Sequence, residues 1–92
     1  MHWKLFANLA EEAGQKEVPL DVEGAATVRE ALDALFERHP ALEATVCAED
    51  GTLQEHIRLL VDGTDPFAAA DGYETTVDPG AELALFPPVS GG

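Results

Sequence analysis

Cysteine is almost missing from this chain of 92 residues, which carries one, Cys47. A single thiol cannot close an internal disulfide or build a cysteine-based metal site. It also excludes a ferredoxin-type iron–sulfur cluster, which needs four cysteine ligands. Cys47 itself is expected to be a small, half-buried residue without chemistry, because free cysteine packs like a small hydrophobe. A free thiol suits a reducing cytoplasm. Basic residues are nearly as scarce. Five of them, with lysine only at Lys4 and Lys16, face eighteen acidic residues, for a formal net charge of −13. Such a field repels nucleic acid and anionic membrane surfaces, so neither is expected as a direct partner. The carboxylates are spread along the chain instead of forming a tail. That pattern suits a protein kept soluble at high salt, where screening over a few ångströms quenches self-repulsion. Long apolar runs, repeats and low-complexity tracts are absent. The start, Met1-His2-Trp3-Lys4-Leu5-Phe6, lacks the charged segment and apolar stretch of a secretory signal. The expected location is cytoplasmic.

What is present reads as one small domain over residues 1–86, followed by a flexible tail over 87–92. Trp3 to Ala7 reads as a strand, and Asn8 to Ala13 as a turn of helix stopped by Gly14. Lys16 to Val22 alternates polar and apolar, with Val18, Leu20 and Val22 on one face. Pro19 has no amide hydrogen for a ladder, so this strand belongs at an edge or turns that nitrogen outward. The two strands are close enough in sequence to pair as an antiparallel hairpin. Thr27 and Glu30 then form a capping box. Val28, Ala31, Leu32, Leu35 and Phe36 follow as a single apolar stripe at helical spacing. Pro40 ends that helix at His39.

Beyond it the pattern weakens. A short helix over Ala41 to Val46 and a turn at Glu49-Asp50-Gly51 precede a strand at Ile57 to Val61, which Asp62-Gly63 closes. Residues 64–78 are hard to assign, with a short strand expected at Tyr73 to Val77. A turn at Pro79-Gly80 leads to the last strand, Glu82 to Phe86. A hairpin, a helix and two to three further strands pack most economically as a mixed sheet of four to five strands with one main helix across its face. The last strand is expected to run parallel to the first at the sheet centre. That α+β arrangement is the ubiquitin-like β-grasp.

The ending Phe86-Pro87-Pro88-Val89-Ser90-Gly91-Gly92 carries the functional signal. Six residues at ~3.3 Å each reach about 20 Å, enough to enter a neighbouring protein's active site. Gly91 and Gly92 lack Cβ, so the backbone can pass a narrow channel. Pro87 and Pro88 stiffen the base of the tail and limit the entropy lost on docking. At ~7% glycine usage a closing Gly-Gly arises by chance in roughly one chain in 200, which weakens the reading of a frayed end. The Gly92 carboxylate is unreactive until activated. ATP would convert it to an acyl-adenylate, from which sulfur or an amine displaces AMP. The chain has no phosphate-cradling glycine loop, so no cofactor is expected on it, and the ATP would be used by an activating partner.

At these residues the chain resembles a family. Leu83 to Gly92 looks like the C-terminus of the small archaeal modifier proteins and of the molybdopterin synthase small subunit. Leu5 to Gly14, the helix with Asp33-Ala34-Leu35, His39-Pro40-Ala41-Leu42 and Val61-Asp62-Gly63 are similar to that family as well. The resemblance implies a β-grasp carrier of a halophilic archaeal type whose Gly92 is adenylated by a ubiquitin-activating-like adenylyltransferase. It implies either a thiocarboxylate for sulfur transfer, to molybdopterin or in transfer-RNA thiolation, or an isopeptide bond to target lysines. The molybdopterin synthase large subunit is the implied partner of the first route. By position, Phe6 and Phe86 match apolar residues that face partners; core packing is the alternative, and strand parity alone does not decide between them. Ala10 stands where many relatives carry arginine, and Ala81 where an aspartate commonly precedes the glutamate. Both bear on ion pairs in docking and leave the tail chemistry untouched. Residues 66–76 look longer than is usual, as an inserted loop would.

The other candidate residues carry weaker signals. His2, His39 and His56 share no helical spacing that would favour a metal, and none is expected. A Cys47–His56 nucleophilic pair lacks an oxyanion context. Lys4 and Lys16 could themselves accept modifiers, against the plainer reading that lysine is scarce under halophilic pressure. A dedicated small subunit of molybdopterin synthase and a non-covalent β-grasp binding module stand as alternatives to the modifier and sulfur carrier. None of these makes the chain itself an enzyme.

Overall fold

Trp3 shows how the layers are joined. Its side chain is fully buried, and its indole Nε1 donates to the carbonyl of Ala31, 3.0 Å away, tying the first strand to the main helix. In the computed structural model of the chain, which describes residues 1–21 and 24–87, four strands form a mixed sheet. These are β1 (His2–Leu5), β2 (Glu17–Pro19), β4 (Arg58–Val61) and β6 (Glu82–Phe86), in the order β2-β1-β6-β4. β1 and β2 are the expected antiparallel hairpin, and β6 runs parallel to β1 at the centre. β4 completes the sheet antiparallel to β6.

The first strand ends at Leu5, earlier than the sequence suggests. Ala7 takes φ 52 and ψ −130, which breaks the extended run and turns the chain into α1 (Asn8–Ala13). Gly14 closes α1 at φ 80, where its amide bonds to the carbonyls of Ala10 and Glu11. Its missing Cβ makes that left-handed cap strain-free. β2 is likewise shorter than the alternating pattern. Leu5 N bonds to Lys16 O and Leu20 N to Met1 O, so Val18 shares that bonding parity and Pro19 presents its nitrogen to the open edge. Val18 and Leu20 are buried as expected, while Val22, expected on the same face, lies outside the described residues.

The main helix, α2 (Val28–Arg38), opens on the expected capping box: Glu30 N donates to Thr27 Oγ1 at 3.1 Å, and Thr27 N donates to Glu30 Oε1 at 2.9 Å. Such a cap contributes about 1 kcal/mol. Val28, Ala31, Leu32 and Leu35 are buried against the sheet, and Phe36 packs at the core margin. Pro40 stops α2 and serves as the first residue of α3 (Pro40–Val46). Among the described residues the buried core contains no charged or polar residue, which is how eighteen acidic side chains are accommodated without unpaired buried charge.

Residues 64–78 hold more structure than an inserted loop. They form α4 (Pro66–Ala69), a 3-10 turn over Gly72–Glu74, and β5 (Thr76–Val77). β5 does not join the main sheet as a fifth strand. It pairs with β3 (Ala26–Thr27), immediately before α2, in a separate two-stranded ladder. Tyr73 pins this segment to the helical layer: Arg29 lies 4.3 Å over its ring, and its hydroxyl accepts from Leu53 N at 2.8 Å. β4 closes at Asp62 (φ 49) and Gly63 (φ 84), a two-residue turn in which both residues are left-handed, the case where Asp-Gly is favoured. Among the described residues no helix is long and apolar enough to cross a membrane.

Candidate functional site

The tail leaves from the end of the central strand. Pro87 directly follows β6, and Pro88 to Gly92, including the candidate acyl residue Gly92 and its neighbour Gly91, lie outside the described residues. The register decides what surrounds this exit. Leu83 and Leu85 point into the core and are fully buried, so Ala84 and Phe86 belong to the opposite, outer face of the sheet. Phe86 is half-buried and stacks on Phe6, with ring centroids 4.4 Å apart and planes 11° from parallel. The two rings form an apolar step at the base of the tail, continued by Ala84 and Leu60, which face each other across β6 and β4. Neither phenylalanine is a core residue.

Charged groups rim this step. Glu82 Oε1 lies 3.2 Å from His2 Nε2 and 3.7 Å from Lys4 Nζ, and Arg58 Nη2 lies 3.9 Å from Asp65 Oδ2. Lys4 is half-exposed on the outer face, and Lys16 is exposed in the link between α1 and β2. Both lysines line one groove of about 520 Å³ beside the aromatic step, with Phe6, Ala7, Ala10 and Glu11.

Comparison with known proteins places this geometry. The ThiS family model matches residues 3–92. The chain belongs to the ThiS family. Small archaeal modifier protein 1 of Haloferax volcanii is 58% identical to it over 92 residues, covering the whole of both chains. The crystal structure of that Haloferax volcanii protein superposes on 100% of this chain and 98% of its own with a TM-score of 0.88, at 52% identity. A chain of the BexX/CysO complex from Amycolatopsis orientalis matches with a TM-score of 0.82 at 28% identity, over 99% of this chain and 98% of that one. The fold is the ubiquitin-like β-grasp, and the family is one of small carrier and modifier proteins. A halophilic relative at this identity agrees with the acidic composition.

The remaining candidates of this ThiS-family chain are dispersed. Cys47 ends α3, half-buried, with its thiol pKa pushed up by burial first and then by the nearby Glu43 carboxylate; Arg29 opposes this. A raised thiol is less nucleophilic at neutral pH. His56 is exposed before β4, and no hydrogen bond joins it to Cys47 among the described residues. His39 sits at the α2–α3 junction and His2 against Glu82. Among the described residues no group of three or more histidine, cysteine or acidic side chains is placed to hold a metal. Ala81 is 3% exposed, so its methyl is part of the core, whereas Ala10 is half-buried between the core and the groove it lines.

Sequence reasoning missed the groove itself. Lys4 and Lys16 stand twelve positions apart and share no helical or strand periodicity. The one available signal was the hairpin, which folds Lys16 back beside Leu5.

Proposed function

We propose that this protein is a ubiquitin-like modifier and sulfur carrier that acts through the carboxylate of Gly92. The single observation that carries the reading is the full-length 58% identity with a small archaeal modifier protein, which extends through the tail. The fold is consistent with it: the tail follows a central strand paired on both sides, so pulling on the tail loads the sheet and not a frayed edge. Residues 1–86 would be the body a partner recognises, and Pro87, Pro88 and Gly91 would deliver Gly92. The Gly92 carboxylate oxygen attacks the α-phosphorus of ATP in a ubiquitin-activating-like adenylyltransferase, releasing pyrophosphate and forming the acyl-adenylate. Sulfide then displaces AMP to leave a thiocarboxylate, or a target lysine amine displaces it to leave an isopeptide bond. The catalytic groups belong to the partner, and no cofactor is needed on this chain. Lys4 and Lys16 are the acceptor candidates should the chain be modified in turn.

A second reading has its own support. The Phe6–Phe86 step beside the tail exit suits a lasting complex, as a small subunit of molybdopterin synthase with its tail in the large subunit would require. Deleting Gly91 and Gly92 tests both against a non-covalent binding module. Loss of ATP–pyrophosphate exchange and of all conjugates is expected; either activity surviving the deletion defeats the proposal. In protein purified from its own cells, a mass with one oxygen replaced by sulfur marks the carrier, and Gly92-linked peptides mark the modifier.

A further inference from the structure

An isopeptide bond needs a primary amine, and this sequence offers few: the side chains of Lys4 and Lys16 and the α-amine of Met1. The fold treats the three differently. Met1 is built into the sheet. Its amine donates to the Pro79 carbonyl, its own carbonyl accepts from Leu20 N at 2.9 Å, and its side chain packs against the core. That amine sits directly on a fixed backbone and has no stem to carry it into a partner's site. Lys4 lies within β1, which is paired on both sides, with Glu17 opposite on β2 and Ala84 opposite on β6. Its Nζ is drawn to Glu82, 3.7 Å away, and the side chain is 44% exposed. A surface ion pair of this kind is weak, so the flanking strands, more than Glu82, limit approach to the amine. Lys16 differs from both. Its carbonyl accepts from Leu5 N at 2.7 Å, which fixes the main chain. Its side chain is exposed and has no ion pair or hydrogen bond among the described residues. The hollow beside it is lined by Ala10, Glu11, Gly14 and Gln15. Ala10 and Gly14 keep one wall low, so a backbone of glycines can come close to the amine.

From this contrast we infer that Lys16 is the site at which the chain is itself modified, accepting the activated Gly92 of a second copy. The inference rests on the proposed adenylation. The free amine of Lys16 attacks the Gly92 carbonyl of the acyl-adenylate. A C–N bond forms, the C–O bond to AMP breaks, and the proton lost from nitrogen passes to solvent. A tail of six residues spans about 20 Å, so the two bodies need not touch for the carbonyl to reach the amine. The chain's own tail is long enough to turn back, but while it carries AMP it is held in the activating enzyme. The donor is therefore another copy. One accessible amine means one linkage: copies join through Lys16, and Met1 and Lys4 keep their places in the sheet.

Two measurements test this. With a limiting amount of N-hydroxysuccinimidyl acetate, Lys16 of the folded chain should acetylate at least about threefold faster than Lys4. The two rates should converge in urea, because both lysines share an unperturbed pKa of about 10.4. Equal rates in the folded chain overturn the assignment. In the cells that make it, the wild-type chain should yield a two-unit conjugate. A protease cutting after glutamate leaves the branch Leu83–Gly92 on the acceptor, which names the site. Lys16→Arg, which keeps the charge, should reduce that conjugate at least about tenfold, and Lys4→Arg should leave it within about twofold. A branch at Lys4 or Met1, or an undiminished conjugate in Lys16→Arg, overturns the inference. So do Gly92-linked peptides on other proteins with no two-unit conjugate, and all three leave the proposed function standing. A single chain lighter by one water overturns it in favour of ring closure by the chain's own tail. No Gly92-linked peptide and no thiocarboxylate anywhere overturns the proposed function, and the inference falls with it.

Discussion

Truncating Phe86 separates its two possible roles, because its neighbour Leu85 supplies the contrast. Leu85 is fully buried on the inner face, and Leu85→Ala should cost about 2–5 kcal/mol. For a domain of this size each kcal/mol lowers Tm by about 4–8 °C, so a loss of roughly 10 °C or more is expected. Phe86 is half-buried, and what it gains within the chain is mainly the stack on Phe6. Such aromatic pairs are worth about 0.5–1.5 kcal/mol beyond the area they bury, and half-burial of the ring adds about 1 kcal/mol, so Phe86→Ala should lower Tm less than Leu85→Ala, by about 5–10 °C. Phe6→Ala should do the same. The double variant should lose less than the sum, by the energy of the stack. Binding should reverse the ranking. A desolvated aromatic anchor at an interface contributes about 2 kcal/mol or more, so Phe86→Ala should weaken partner affinity roughly 30-fold. Thermal unfolding followed by circular dichroism in high salt gives the first quantity, and calorimetric titration with the activating enzyme gives the second. Phe86→Ala as destabilising as Leu85→Ala, with partner affinity intact, would refute the outer-face assignment and return Phe86 to the core.

Two further outcomes follow from charge. Raising KCl from 0.1 M to 2 M shrinks the screening length from about 10 Å to under about 3 Å. A chain with net charge −13 and a radius of gyration of 12.2 Å should therefore gain several degrees in Tm; full stability without added salt would contradict the halophilic reading. Cys47, its pKa raised from the ordinary 9.0 by burial and then Glu43, binds its proton more tightly folded than unfolded. Its contribution to stability is thus fully present below pH 9 and declines as pH rises through the folded value. Iodoacetamide at pH 8 should label the native thiol more slowly than the urea-unfolded one, and equal rates would contradict this.

Local physics made much of this molecule legible before any coordinates. A capping box is four residues long, so Thr27 and Glu30 announce the start of α2 without help from the rest of the chain. The stripe from Val28 to Leu35 needs only helical periodicity, and Gly14 and Asp62-Gly63 needed only their backbone preferences. The proposed tail chemistry also starts from the sequence alone, because glycines after prolines suggest a deliverable carboxylate whatever the fold behind them. Where the sequence failed, pairing partners were distant. β3 and β5 have two residues each and are separated by about fifty positions; neither has a period long enough to detect. Strand parity showed that Leu85 and Phe86 face opposite ways but not which way is inward. Only the register with β1 and the packing of α2 decide that, by burying Leu83 and Leu85 and leaving Phe86 to stack on Phe6. The same hairpin brought Lys4 and Lys16 to one groove. Which residues would carry the acyl group is proposed from the sequence; which side chains share a surface was decided by tertiary structure, since a surface exists only once distant segments are paired.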